Sequence, residues 1–173
     1  MNNRLVSAKM VGIGAYVPET ILNNAYFEKI VDTSDEWIVT RTGIKERHVV
    51  GNSGEVTSDM SIKASRQALA DAHMSAEELD MIIIGTVTPD MKTPSTACFV
   101  QKALGAKNAA VMDVNAACVG YIYALTTARA YILAGMARNV LVVGCETLTS
   151  ITNYKDRSTC VLFGDGAGAA VLQ

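Results

Sequence analysis

DVNAACVGYIY, residues 113–123, joins an apolar, strand-like run to a helix-like one, and a cysteine lies at the junction. The preceding residues AAVMDV (109–114) predict a buried strand, and the apolar stretch from about 118 to 137 predicts a long helix. Small residues surround the cysteine, so the chain can turn sharply from one element into the other. The stretch therefore predicts a strand-turn-helix unit.

The alternation of strand-like and helix-like runs continues on both sides of this unit. Further strands are predicted at 9–17, 44–50, 80–88, 139–146 and 159–173, and further helices at 24–31, 57–73 (with Thr57 or Ser58 as its cap) and 96–104. The polar stretch DTSDEWIVTRTG (32–43) predicts a loop. Strands that alternate with helices are typical of parallel strands with crossovers on both faces of a sheet. The expected fold class is α/β, a layered α/β/α sandwich.

Composition narrows the possible functions. Half of the 173 residues are apolar, 18% are charged and the net charge is −2, which is typical of one compact domain and not of a nucleic-acid-binding chain. Lys9 interrupts the N-terminal apolar run before a signal sequence could form. The longest uncharged stretch, 114–128, is shorter than the roughly 20 residues of a membrane span. We expect a cytoplasmic protein with no nucleic-acid or membrane partner.

The four cysteines occur at scattered positions without a C-x-x-C pair, and only two histidines accompany them. No metal-binding pattern results, so we expect no metal ion. Unpaired thiols at irregular spacings are typical of a reducing compartment. Cys98, Cys145 and Cys160 lie outside any strand-to-helix junction, and we expect them in the core.

Cys118 has two interpretations at this level. At the start of a helix, unpaired backbone N–H groups and the helix dipole favour a thiolate, so Cys118 could be a nucleophile. Ala116, Ala117 and Gly120 leave room for a carbonyl to approach the backbone, where an N–H could stabilise an oxyanion. Free cysteine is also among the most buried residue types, and packing is its default role.

Three other features also have more than one interpretation. GDGAGA (164–169) resembles a dinucleotide fingerprint, but no helix and no acidic residue follow at the required distance, so a tight turn of the strand is the simpler explanation. Trp37 and Arg41 could stack on an adenine and neutralise phosphates at a nucleotide or coenzyme A site, or Trp37 could anchor a loop. The helix after Cys118 is apolar on almost every face, which predicts a central layer or a subunit interface.

Three longer stretches, in this order and spacing, resemble the N-terminal half of β-ketoacyl-acyl-carrier-protein synthase III. They are DTSDEWIVTRTGIKERH (32–48), DVNAACVGYIYAL (113–125) and DRSTCVLFGDGAGAAVL (156–172). This family initiates bacterial fatty-acid synthesis and has the thiolase-like fold. The resemblance implies that residues 1–173 form one half of a five-layer αβαβα sandwich with a mixed, mainly parallel sheet. The C-terminal half is then absent from this chain.

The same resemblance implies a set of site residues. Cys118 matches the nucleophile that takes an acyl group from acyl-CoA as a thioester. The implied coenzyme A contacts are Thr33, Trp37, Arg41 and Arg157, with Arg157 facing the tryptophan across the adenine. The implied acyl pocket contains Thr93, Leu148 and Phe163. Thr93 lies on the loop PDMKTPS (89–95), which matches a segment that crosses a homodimer interface into the other subunit's site. CoA thioester is then a substrate, and no cofactor is expected.

The mechanism implied by the resemblance has a second stage that this chain cannot complete alone. Malonyl-acyl carrier protein is decarboxylated to a carbanion equivalent that attacks the acyl thioester. A histidine and an asparagine of the absent half stabilise the enolate, and His48 and His73 match no catalytic position. We therefore expect no condensation by the 173-residue chain itself.

The residue at position 93 predicts which acyl primers the enzyme accepts. Thr93 replaces a bulkier phenylalanine of some family members, which predicts a deeper pocket and acceptance of primers longer than acetyl.

Two other functions are alternatives to this one. One alternative is a related thiolase-fold starter synthase with another acceptor. The other is a non-catalytic fragment that binds coenzyme A or forms a dimer.

Overall fold

The computed structural model describes residues 7–173, which form two sheets and five α-helices. The strands are β1 (Met10–Tyr16), β2 (Thr20–Asn23), β3 (Glu46–Val49), β4 (Met81–Gly85), β5 (Ala110–Val114), β6 (Val140–Thr147) and β7 (Asp165–Leu172). The helices are α1 (Asn24–Phe27), α2 (Asp35–Thr42), α3 (Thr57–Asp71), α4 (Thr96–Leu104) and α5 (Gly120–Leu133). The first six residues, part of the stretch assessed for a signal sequence, lie outside the described residues.

The larger sheet has five strands in the order β1-β7-β6-β4-β5. β4 pairs in parallel with both β5 and β6, whereas β7 pairs antiparallel with β6 and β1. Four strands therefore share one direction and β7 runs against them, which confirms the mixed, mainly parallel sheet. β4, with the sequence MIIIG, is buried along its whole length, as expected for a central strand covered on both faces.

Helices cover both faces of this sheet, as the alternating pattern predicted. Ile82 and Ile84 of β4 pack with α3 and α4, whereas Met81 and Ile83 pack with α5. β6 divides its side chains between the two helical layers in the same way, because successive residues of a strand point to opposite faces. We call the two sides of the sheet the α3 face and the α5 face. The core is thus two apolar layers on either side of one sheet.

A smaller layer adjoins the main sheet. β2 and β3 form an antiparallel pair, and β2 was not anticipated from the sequence. The buried side chains of this layer come from α1, α2 and the connection between β6 and β7; they are Phe27, Ile38, Cys160 and Val161. The layer therefore brings together segments that are more than 100 residues apart in the chain.

Residues 32–43, expected as a loop, contain helix α2. Ser34 caps this helix, because its Oγ accepts a hydrogen bond from the backbone N–H of Trp37 at 3.1 Å. Gly43 ends the helix in the left-handed conformation, with φ 72°. The loop prediction was wrong because a short, exposed helix has little apolar periodicity. Its cap and its terminal glycine were the informative signals.

Other boundaries also differ from the expectation. α1 has only four residues, and residues 28–31 continue as turns. The cap position of α3 is Val56, not Thr57 or Ser58, and the Val56 N–H donates to the side chain of Asp59 at 3.1 Å. α5 begins at Gly120, so Cys118 precedes it in a 3₁₀ turn, Ala117–Val119.

Within residues 7–173, α5 is buried along one face only. Ala124, Ala128 and Ile132 are buried against the sheet, but Ile122 and Tyr123 are each 55% exposed. Burial on nearly all sides was expected, and the outer apolar face is open in this chain. None of the helices in the described residues is long and apolar enough to cross a membrane.

Candidate active site

A cavity of about 450 Å³ opens on the α5 face of the main sheet. Glycines of β4, β6 and β7 contribute to its lining, together with the apolar side chains of Val87, Tyr121, Leu148 and Phe163. This volume and this apolar character are typical of small-ligand sites. The structure thus brings Leu148 and Phe163, two residues of the expected acyl pocket, to one cavity.

Cys118 lines the same cavity and is exposed. The packing interpretation of this thiol is therefore wrong for the described chain. The residue before it, Ala117, has φ 46°, a left-handed conformation that costs a non-glycine residue roughly 1–2 kcal/mol. No described side chain caps the N-terminus of α5, two residues further on. The strained turn presents the thiol beside the start of a helix, where backbone N–H groups and the dipole favour negative charge.

Close packing between α5 and the sheet fixes the position of this turn. A Cβ atom on Gly85 would lie 2.6 Å from the carbonyl carbon of Gly120, so only glycine allows the helix to start so near β4. A Cβ atom on Gly144 would lie 3.0 Å from the ring of Tyr121. These two contacts place the first turn of α5, and Cys118 before it, over the carboxyl end of β4 and the middle of β6.

One carboxylate forms part of the cavity wall. Glu146 accepts hydrogen bonds from the backbone N–H groups of Val87 and Thr88 and from the Thr88 hydroxyl, the last at 2.5 Å. Its lone pairs are thus engaged with the segment that follows β4. Such a carboxylate holds the wall in place, because breaking these charge-assisted bonds would leave several donors unpaired.

A second group of expected site residues meets around the only tryptophan of the chain. The guanidinium carbon of Arg41 lies 4.5 Å from the centroid of the Trp37 ring, and that of Arg157 lies 5.2 Å from it. Arg157 also forms an ion pair with the exposed Asp32 at 3.2 Å. We call Trp37, Arg41 and Arg157 the Trp37 cluster. It combines an aromatic surface with two cations, which suits an aromatic base and its phosphates.

The two remaining residues expected at the site differ in their surroundings. Thr33 lies just before the cap of α2, and its Oγ1 is buried without a hydrogen-bond partner among the described residues. Thr93 is exposed on the connection between β4 and α4 and does not line the cavity of its own chain. Among the described residues, Thr93 is therefore not brought together with Leu148 and Phe163.

The other cysteines divide by burial. Cys145 and Cys160 are buried, as expected, whereas Cys98 is only partly buried, with its Sγ 3.3 Å from the Ser95 hydroxyl. Burial raises the pKa of Cys145 to about 12 and also raises the pKa of Cys160. Buried neutral thiols are poor nucleophiles, which leaves Cys98 and Cys118, and of these two only Cys118 lines the cavity.

Sequence reasoning missed one buried residue that bears on the Trp37 cluster. Arg47 was anticipated only as part of a strand, yet it is 4% exposed and contacts the segment that carries Arg157. Its burial had no local signal, because RHV in β3 is as compatible with an exposed arginine. Among the described residues, no group of three or more His, Cys, Asp or Glu side chains could hold a metal ion.

A mixed five-stranded sheet between helical layers, with a cysteine at a strained turn into a helix packed on the sheet, defines one half of a thiolase-like condensing-enzyme fold. Solved structures of similar proteins superpose on this fold. A 3-oxoacyl-[acyl-carrier-protein] synthase III from Aquifex aeolicus VF5 superposes with a TM-score of 0.93 at 52% identity, over 96% of this chain and 53% of that one. The priming β-ketosynthase of the R1128 polyketide pathway superposes at 0.91 and 36% identity, over 99% of this chain and 52% of that one.

Sequence comparison gives the family. A β-ketoacyl-[acyl-carrier-protein] synthase III of Caldanaerobacter subterraneus subsp. tengcongensis is 59% identical over 167 residues, which are 96% of this chain and 50% of the relative. The profile of 3-oxoacyl-[acyl-carrier-protein] synthase III matches residues 112–173, the part that holds Cys118, Leu148, Arg157 and Phe163. The chain belongs to the β-ketoacyl-[acyl-carrier-protein] synthase III family. It spans about half the length of the curated relatives it matches.

Proposed function

We propose that the full-length gene product is the initiating condensing enzyme of bacterial type II fatty-acid synthesis, and that Cys118 carries the acyl group. The observation that carries this proposal is the exposed Cys118 at the strained turn into α5, on the wall of an apolar cavity. Membership of the synthase III family supports the reaction class. The substrates are acyl-CoA and malonyl-acyl carrier protein.

The first step is transfer of the acyl group to the cysteine. The Cys118 thiolate attacks the carbonyl carbon of acyl-CoA, a new carbon–sulfur bond forms, and coenzyme A leaves as its thiolate. Backbone N–H groups at the turn stabilise the oxyanion that develops on the carbonyl oxygen. The acyl chain occupies the cavity beside Leu148 and Phe163, whose apolar surfaces exclude water from the thioester.

The second step forms the carbon–carbon bond. Malonyl-acyl carrier protein loses CO₂, the resulting carbanion equivalent attacks the acyl carbon, and the Cys118 thiolate leaves. The products are 3-oxoacyl-acyl carrier protein and CO₂, in addition to the coenzyme A released earlier. Stabilising the enolate needs hydrogen-bond donors, a histidine and an asparagine, that lie outside residues 1–173. The 173-residue chain alone is therefore proposed not to condense.

Coenzyme A is proposed to bind at the Trp37 cluster, with Thr33 as a further contact. The adenine stacks on Trp37 with Arg157 facing its other side, and Arg41 neutralises a phosphate. The protein is proposed to act as a homodimer in the cytoplasm, with Thr93 reaching the acyl pocket of the other subunit. The small side chain of Thr93 would leave that pocket deep enough for primers longer than acetyl.

Intact-mass analysis tests the first step directly. The full-length gene product, incubated with acetyl-CoA or a medium-chain acyl-CoA, should gain the mass of one acyl group, and Cys118→Ala should gain none. Peptide mapping should place the modification on Cys118. Cys98→Ala is the matched control, because it removes another thiol that is not fully buried and should leave acylation unchanged. Acylation of Cys118→Ala would refute the proposal.

The 36% identical priming ketosynthase supports a second candidate, a starter synthase with a different acceptor. The two functions separate by the carrier protein used in the second step. Condensation with a fatty-acid carrier protein supports the leading proposal, whereas condensation only with a polyketide carrier protein supports the alternative. Equal iodoacetamide labelling of all four cysteines, unaffected by acyl-CoA, would instead indicate a non-catalytic fragment.

A further inference from the structure

A buried arginine joins the two segments that carry the Trp37 cluster. Within residues 7–173 no carboxylate pairs with Arg47, and its partners are neutral. Its Nε donates to the carbonyl oxygen of Val161 at 2.9 Å, and its Nη2 donates to the same oxygen. Its Nη1 donates to Oδ1 of Asn24 at 2.5 Å. The guanidinium carbon also lies 4.6 Å from the centroid of the Phe27 ring.

A buried cation without a counter-ion is costly, since desolvation is not compensated by a paired charge. Burial accordingly lowers the pKa of Arg47. An apolar side chain of similar length could fill the same space in β3 at lower cost. What only arginine supplies there is a rigid set of donors that reaches two acceptors at once.

These two acceptors link Arg47 to the two segments that carry the Trp37 cluster. The first acceptor, Asn24, also donates a hydrogen bond from its Nδ2 to the Asp35 side chain at 2.7 Å. Asp35 is the first residue of α2, two positions before Trp37. The second acceptor, the carbonyl oxygen of Val161, lies four residues after Arg157. Arg47 therefore connects the backbone that carries Trp37 to the backbone that carries Arg157.

Gly164 allows this second contact to be close. A Cβ atom at Gly164 would lie 3.2 Å from the Cβ of Arg47 and 2.8 Å from the carbonyl oxygen of His48. The segment from 156 to 164 thus passes directly against β3. It also carries Phe163, which lines the cavity. The position of this segment bears on both the cluster and the cavity, and Arg47 is its buried anchor.

We infer that Arg47 is a positioning residue for coenzyme A, holding α2 and the 156–164 segment at the spacing that the nucleotide needs. This inference rests on the proposed function. Stacking an adenine between Trp37 and Arg157 needs about 7 Å, two contact distances of about 3.5 Å each. The Arg157 side chain, at 5.2 Å, has to move outward while the backbone on both sides stays in place. Arg47 fixes that backbone without touching the ligand.

Two thioesters that differ only in the nucleotide part separate this role from a general structural one. In the full-length gene product, Arg47→Met should raise KM for acyl-CoA about tenfold or more, because small displacements of binding groups weaken binding strongly. The same variant should change kcat/KM for the matching acyl-pantetheine thioester, which lacks only the nucleotide, by less than about threefold. Arg47→Lys should resemble Arg47→Met, because one ammonium group cannot reach both acceptors.

Two further variants complete the experiment. Lys63→Met removes a cation that hydrogen-bonds Glu55 and Tyr16, outside the smaller layer, and should leave both thioesters unaffected. Asn24→Asp keeps a partner for Arg47 but removes the donor to Asp35, so it should reproduce the selective loss even where Arg47→Met folds poorly.

Equal losses with both thioesters, or no loss with acyl-CoA, would overturn the positioning role. A wild-type protein that transfers acyl groups from neither thioester would overturn the proposed function, and the inference with it. Wild-type transfer that survives unchanged in Arg47→Met and Asn24→Asp would overturn the inference alone.

Discussion

The two faces of the five-stranded sheet are built from alternate residues of the same strands, yet they differ in what covers them. On the α3 face, β4 and β6 present Ile82, Ile84, Leu141 and Val143, all fully buried beneath α3 and α4. On the α5 face, β4 ends in Gly85 and β6 has Gly144 in register with it, and an open cavity lies beside the first turn of α5.

The glycines explain why the α5 face can hold a cavity at all. Gly85 and Gly144 pair in register and let α5 start close to the sheet, so the turn with Cys118 lies over these two glycines. A large side chain at these positions would displace the helix and fill the space beside it. The α3 face is therefore closed beneath its helices, whereas the α5 face is packed beneath α5 and opens, beside the first turn of that helix, into a cavity lined by a thiol.

Truncating the α3 face should give the largest change in stability. Ile84→Ala removes a fully buried side chain between the sheet and α3, and it should lower the free energy of unfolding by about 2–5 kcal/mol. Urea denaturation of the full-length gene product measures this. Acylation of the folded molecules should continue at the wild-type rate, and a selective loss of acylation would contradict the division between the faces.

Ile122→Ala is the matched control on the outer side of α5. The side chain is 55% exposed, so the same truncation should cost less than about 0.5 kcal/mol if that surface stays open. A cost close to that of Ile84→Ala in the full-length gene product would show that another part of the protein covers α5.

Gly144 and Gly168 both lie on the α5 face, but replacing each with alanine should change the free energy of unfolding differently. Gly144→Ala places a methyl group 3.0 Å from the Tyr121 ring and should destabilise the fold by about 1–3 kcal/mol through overpacking. Gly168→Ala, on the neighbouring strand, meets no atom within 4 Å and should be neutral or stabilising by up to about 1 kcal/mol. Thermal and urea denaturation of both variants measure this, and equal effects would show that the cavity, not helix packing, explains both glycines.

Several elements of the two faces could be predicted from the sequence. The buried run of β4, the helix α4 at Thr96–Leu104 and the strand-turn-helix around Cys118 follow from apolar periodicity and small residues, and the structure confirms them. Each of these elements has a recognisable apolar pattern because it is stabilised by burial of its own side chains. Trp37 and Arg41 were also singled out as a possible nucleotide site, and the resemblance to the family then added Arg157.

Other features depend on contacts that no local pattern reveals. Arg47 and Val161 are 114 positions apart, so nothing near either residue indicates that one binds the other. α2 was taken for a loop because its stability comes from a serine cap, a terminal glycine and packing of Ile38 in the smaller layer. The exposure of Cys118 also follows from the position of α5 on glycines of two other strands.

A pH-dependent effect concerns Cys145, the buried thiol on the α3 face, in contrast to the exposed Cys118. Burial raises the pKa of Cys145 to about 12, whereas in the unfolded chain a thiol has a pKa of about 8.5. Between these values the unfolded chain loses a proton that the folded protein keeps, so unfolding becomes easier as pH rises. Stability is complete below about pH 8.5 and should fall by up to about 1.4 kcal/mol per pH unit above it. Cys145→Ser, whose hydroxyl can still donate to the carbonyl oxygen of Thr57, should flatten this slope between pH 8.5 and 10 in urea titrations. An unchanged slope would mean that the Cys145 thiol is hydrated, and that the α3 face is less closed than its packing indicates.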